Sequence, residues 1–161
     1  LYGLEVLLLN QKQIDELSTY YLGLLKQIQG LPTTTATSAV YPLMGAFPVE
    51  VLLDLRCLLL IGAICRSRNK CLRELALRQV AMHTVRTSWF PKFEAVLTKY
   101  GLPSISELME LEPSQEGWKS RCKKAVTVHW YDLYIKDAQE KYSLKYFHPP
   151  DLGVSPMLEL N

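Results

Sequence analysis

Apolar residues recur with helical spacing along most of the chain. From Lys12 to Gln29, Ile14, Leu17, Tyr21, Leu24, Leu25 and Ile28 fall within about 100° of arc at 3.6 residues per turn, which predicts an amphipathic helix. Gly30 and Pro32 stop it. Thr33, Thr34 and Thr35 form a polar turn, and Thr37 or Ser38 then caps a short helix through Met44, ended by Gly45. Pro42 limits or kinks that helix, because its ring removes a backbone donor. Ahead of these elements, residues 4–9 weakly favour a short strand through Val6 and the leucines around it.

Pro48 suits the first turn of the next helix. From Val49 to Cys65 that helix is apolar on most of its circumference, with Glu50, Asp54 and Arg56 its only charges, so it predicts a central core helix. Ser67, Arg68 and Asn69 read as a connector, with Asn69 the cap of a basic helix from Lys70 to Arg86. Trp89, Phe90 and Pro91 open a helix to Tyr100, closed by Gly101 and Pro103. Ser104 or Ser106 starts a short acidic helix through Leu111, since Glu107 and Glu110 suit a helix beginning. Pro113 breaks it, and Ser114 caps a long helix from Gln115 to Tyr142. Its apolar stripe is Trp118, Cys122, Ala125, Val126, His129 and Leu133. Residues 148–161 read as linker or tail. There is no internal repeat and no strand–helix alternation. The expected fold class is mainly α, a bundle of about six to seven helices with at most a short N-terminal strand.

Composition narrows the function classes. The 161 residues are 48% apolar and 21% charged, near the globular average, so a fully disordered chain is not expected. The length suits one domain, or one domain plus an appendage. The chain opens with Leu1 and is expected to be an excerpt of a longer polypeptide. Its first residues carry Glu5 and no basic region, unlike a signal peptide. The uncharged run Cys57 to Cys65 is far short of the roughly 20 residues of a membrane-spanning helix, so no membrane association is expected. Cys57, Cys65, Cys71 and Cys122 show no metal-site spacing. Cys57 and Cys65 on one helix would lie about 12 Å apart, too far for a disulfide. Reduced, mostly buried thiols are expected, with metal binding the minor alternative, which fits an intracellular, reducing compartment, nuclear or cytoplasmic.

No phosphate loop, nucleophile elbow or metalloprotease motif is present. His129, beside Trp130, reads as a core histidine; His83 falls on the basic helix and His148 in a loop. Glu50 and Asp54, one turn apart, read as complements to a helix start and as solvated. No catalytic residue and no cofactor or metal site emerges, so the segment alone is not expected to be an enzyme.

Charge is more informative. The net charge of +2 is the sum of −3 over residues 1–55, +6 over 56–86 and −1 over 87–161. Arg56, Arg66, Arg68, Lys70, Arg73, Arg78 and Arg86 face only Glu74 in the middle segment. Arg66, Lys70 and Arg73 share a side if the helix is continuous there. Lys119, Arg121, Lys123 and Lys124 form a second cluster beside Trp118. Such clusters neutralise phosphates and release counterions, although a charged helix face is more often only solvated. A helical protein-interaction module with a basic docking face would use the same charges.

The order of local motifs adds a resemblance. Leu1-Tyr2-Gly3-Leu4-Glu5 precedes the first helix, which ends in Gly30-Leu31-Pro32; then come Ala39-Val40-Tyr41-Pro42-Leu43-Met44-Gly45-Ala46-Phe47-Pro48-Val49-Glu50. This series resembles the region after the polymerase core of non-LTR (LINE-type) retrotransposon reverse transcriptases, best over residues 1–75, and less specifically around Trp118 and Lys119. The resemblance implies a thumb-like helical region over residues 1–86, a C-terminal helical extension over 87–147 and a linker or tail over 148–161. It implies a non-catalytic fragment of an RNA-directed DNA polymerase that grips template–primer nucleic acid through its phosphates. No Asp-Asp pair occurs, so the two Mg²⁺ ions of nucleotidyl transfer belong to a polymerase core outside this segment. The implied partners are an RNA–DNA hybrid or other nucleic acid and the rest of the same polypeptide. Arg66, Arg68, Lys70, Arg73 and Arg78 would contact phosphates, with Lys119, Lys123 and Lys124 as a second site.

Overall fold

A computed structural model describes residues 9–82, 90–141 and 144. Among them are seven helices and no strand: α1 (Gln11–Ile28), α2 (Thr37–Met44), α3 (Val49–Cys65), α4 (Lys70–Ala81), α5 (Phe90–Lys99), α6 (Ile105–Leu111) and α7 (Gln115–Glu140). The protein is thus the mainly helical bundle that its periodicity predicts. The N-terminal strand expected over residues 4–9 lies, but for Leu9, outside the described residues, as does the tail over 148–161.

Helix ends follow local chemistry. The Asn10 side chain accepts from the Gln13 N–H at 2.9 Å, while Gln13 Oε1 accepts from the Asn10 N–H at 3.0 Å. This reciprocal pair satisfies two donors that a helix start leaves unpaired. Asn69 caps α4 by accepting from the Leu72 N–H at 3.3 Å. Of the two serines offered for α6, Ser104 is the cap, in a second reciprocal pair with Glu107. Neither Thr37 nor Ser38 caps α2. The cap position is Ala36, which lacks a side-chain bond, and Ser38 is buried at the second helical position. Gly30 and Gly101 close α1 and α5 with φ of 64° and 61°. The following residue bonds back to Lys26 O and Leu97 O, at 2.9 Å in both cases, a turn that favours glycine.

The described chain forms two compact units. The first holds Leu53–Val126; the second holds Leu9–Leu52 and the described residues from Thr127 onward. In the first, α4 packs on α5, and the core gathers Cys57, Leu58 and Ile61 of α3, Phe93 and Leu97 of α5, Ile105 and Leu108 of α6, and Trp118, Cys122 and Val126 of α7. In the second, α1 packs on α2, and Leu25, Val40, Tyr41 and Tyr134 form the core, with Tyr21, Leu31, Phe47 and Trp130 packed around it.

The buried stripe of α7 differs from the expected one. Trp118, Cys122 and Val126 are buried, but Leu133 is exposed, and Tyr134 and Ala138 are buried instead. Residues four apart advance by about 40° around a helix with 3.6 residues per turn. A line drawn at that spacing therefore winds round α7, and the sequence stripe, assumed straight, leaves it near His129.

Candidate nucleic-acid interface

All eight basic residues singled out from the sequence belong to the first unit, but they fall into two groups. Arg68, Lys70, Arg78, Lys119, Lys123 and Lys124 are exposed. None of the six pairs with a carboxylate among the described residues, where the ion pairs are Lys12–Glu16, Arg73–Glu112, Lys99–Asp54 and Lys141–Asp137. Arg66 and Arg73 are half-buried.

The connector expected at Ser67, Arg68 and Asn69 forms, so the continuous helix that would put Arg66, Lys70 and Arg73 on one side is absent. Helix α3 ends at Cys65, Arg66 lies in the turn, and α4 starts afresh at Lys70. Asn69 causes the break, since its side chain occupies the Leu72 N–H and its own backbone is extended, with ψ of 104°. Arg66 bends toward the interior. Its Nη1 is buried without a hydrogen-bond partner among the described residues, and a Cβ added to Gly62 would lie 3.0 Å from it. Arg73 pairs with Glu112 and donates from Nη2 to Met109 O at 3.0 Å. It thereby holds the end of α6, where free carbonyls and the helix dipole favour a cation. Glu112 sits there with φ of 39°, a conformation uncommon outside glycine.

Two features beneath this surface were not read from the sequence. Trp118 is 1% exposed, and its indole Nε1 donates to Leu58 O at 2.8 Å. The ring can lie that close to α3 because position 62 is glycine: an added Cβ would sit 2.2 Å from Trp118 Cδ1. Helical glycine costs roughly 1 kcal/mol relative to alanine, so Gly62 is explained by this approach and not by its propensity. The only sequence signal was a glycine inside an otherwise strongly apolar helix. Asp54, expected to be solvated, is 7% exposed. Its Oδ2 accepts from Lys99 Nζ at 2.9 Å and from the Tyr100 hydroxyl at 2.8 Å. A buried carboxylate requires such partners, and no helical spacing could reveal a bond spanning 46 residues.

The four cysteines also belong to the first unit. Cys57, Cys65 and Cys122 are buried, Cys71 is exposed, and all are free thiols. Burial pushes the Cys65 thiol up to about 11 and the Cys122 thiol up to about 12, against the smaller opposing pull of nearby arginines that include Arg66 in both cases. Among the described residues no group of His, Cys, Asp and Glu could hold a metal ion, and no helix is long and apolar enough to cross a membrane. His83, Arg86 and Trp89 lie outside the described residues. Comparisons with protein-family models, curated proteins and solved structures find no match.

Proposed function

We propose that this chain is a non-catalytic helical part of a retrotransposon reverse transcriptase, and that its first unit grips template–primer duplex through the phosphates. The observation that carries this reading is the set of six exposed cations with no carboxylate pairing among the described residues, Arg68, Lys70, Arg78, Lys119, Lys123 and Lys124. Unneutralised cations are the electrostatic footprint of phosphate binding. The motif order over residues 1–75 supplies the family and the hybrid duplex as ligand. Arg66 and Arg73 act inside the unit in this reading, and the surface residues make the contacts. Contacts to the backbone orient a duplex without reading its bases, so little sequence preference is expected.

The test is binding of a fluorescent RNA–DNA hybrid by anisotropy as salt rises. Six phosphate contacts predict about a thousandfold loss of affinity between roughly 50 and 200 mM salt. An affinity flat over that range overturns the reading. Reversing Arg68, Lys70 and Arg78 to Glu is expected to lower affinity more than tenfold, and an unchanged value removes α4 from the site.

A second reading, a helical protein-interaction module, is favoured by α4 itself. Only Ala76 is buried on that helix, while Leu72, Leu75 and Leu77 are exposed among the cations, Leu75 by 53%. Capture of acidic helical partners that duplex fails to displace would select this reading over the first.

A further inference from the structure

Helix α1 presents two apolar faces, and the core of the second unit uses one of them. Leu25 is buried there, with Tyr21 and Leu22 packed beside it. On the neighbouring flank Tyr20 is 70% exposed, Leu24 38% and Ile28 64%, and none of the three belongs to that core. At 3.6 residues per turn, Tyr20, Leu24 and Ile28 fall with half-buried Leu17 and exposed Gln13 within about 80° of arc. The four charges of α1, Lys12, Asp15, Glu16 and Lys26, all lie outside this flank. Single exposed apolar side chains are ordinary on a protein surface, but an unbroken apolar row along successive turns marks an interaction site.

The row itself selects what covers it. A phosphate, or an acidic or basic partner, finds no charge on this flank to pair with, so the fitting occupant is another uncharged helix face. Tyr20, Leu24 and Ile28 are four residues apart and make one ridge of the kind that interdigitates when helices pack. Their equal spacing is centred on Leu24. A second α1 laid antiparallel about that residue therefore sets Tyr20 against Ile28 of the second copy at both ends, and Leu24 against its equivalent. No like charges meet, because the charged residues lie off the flank, and antiparallel helices place opposite dipole ends side by side. A two-fold dimer requires such a self-complementary patch and is the commonest closed assembly.

We propose that α1 pairs with α1 of a second copy of this chain, antiparallel, through Tyr20, Leu24 and Ile28. The pairing does not depend on the phosphate-gripping reading, since α1 carries none of the cations assigned to it. One helix flank falls short of the roughly 800 Å² per partner of a standard interface, so the association is weak and concentration-dependent.

The test is sedimentation velocity of the whole chain from low micromolar to submillimolar concentration, where a reversible monomer–dimer equilibrium is expected. Leu24→Glu brings two carboxylates together at the two-fold axis and should weaken the dimer more than about tenfold, while thermal melting of the dilute monomer stays unchanged. Tyr20→Glu and Ile28→Lys should each weaken association. Combined in one chain they should restore it, because antiparallel pairing sets each new carboxylate against a new ammonium of the other copy. A chain that stays monomeric throughout overturns the proposal. So does a dimer that Leu24→Glu leaves as strong as the parent, or a double variant that associates no better than its singles.

Discussion

The first unit closes its core around one indole, and the second around a group of phenol rings. In the first, Trp118 Nε1 bonds to Leu58 O, and Asp54 accepts from Lys99 and Tyr100, while Arg66 Nη1 is buried without a partner among the described residues. In the second, Tyr21, Tyr41 and Tyr134 stack in sequence, and the Tyr134 hydroxyl is buried without a partner among the described residues. Fully satisfied polar groups fix one arrangement, because every alternative breaks a bond in a low-dielectric interior. The contrast therefore separates a core pinned by polar bonds between distant stretches of chain from a core held chiefly by stacked rings.

The strongest way to break this contrast is at the indole. Trp118→Ala should cost about 4 kcal/mol, read by denaturant unfolding. Gly62→Ala should also destabilise, because the new methyl overlaps the ring. A neutral Gly62→Ala would remove the close approach from the account. Next comes the buried carboxylate: Asp54→Ala should cost about 2 kcal/mol, since it leaves the Tyr100 hydroxyl and Lys99 without their acceptor. Tyr134→Phe in the second unit is expected to cost nothing. Equal losses from the two variants would erase the distinction between a hydroxyl bonded to a buried carboxylate and one that is not.

A smaller difference should appear in base. The Cys65 and Cys122 thiols rise from 9.0 to about 11 and about 12, and the Tyr41 phenol rises from 10.0 to about 12, all chiefly through burial. Groups with raised values contribute stability in full below their unfolded values, and the contribution is lost as pH climbs through the folded ones. The first unit should start to weaken just above pH 9, and the second about one unit later. Hydrogen exchange followed along the chain would read the order, and the reverse order would contradict the assigned burial. The smallest effect belongs to Arg73→Ala. Its pair with Glu112 is partly exposed, with side chains 32% and 52% accessible, so the loss should stay below about 1 kcal/mol. A larger loss by thermal melting would move Arg73 into the unit's structural core.

Much of the helical framework was legible from the sequence because its determinants are local. Gly30, Asn69, Gly101 and Ser114 act within a few residues of the ends they define, and α3 carries the same bounds in sequence and structure. The missing cap of α2 was not legible, because burial of Ser38 depends on what packs over it. The candidate site was legible by charge and only partly by geometry. The eight cations could be named, but which are exposed and which turn inward depends on Glu112, Met109 and Gly62, all distant in sequence or small.

By itself, then, the sequence determined a bundle of about six to seven helices, their principal stop signals and a basic middle segment, since backbone propensity, capping and charge are properties of neighbouring residues. The tertiary structure alone decided that Arg73 clasps α6, that Asp54 is buried and paired, that Trp118 rests against Gly62, and that Tyr41 stacks between Tyr21 and Tyr134. Each of these joins atoms from separate stretches of chain. Their energies depend on burial and on the geometry of a partner, which no local pattern encodes.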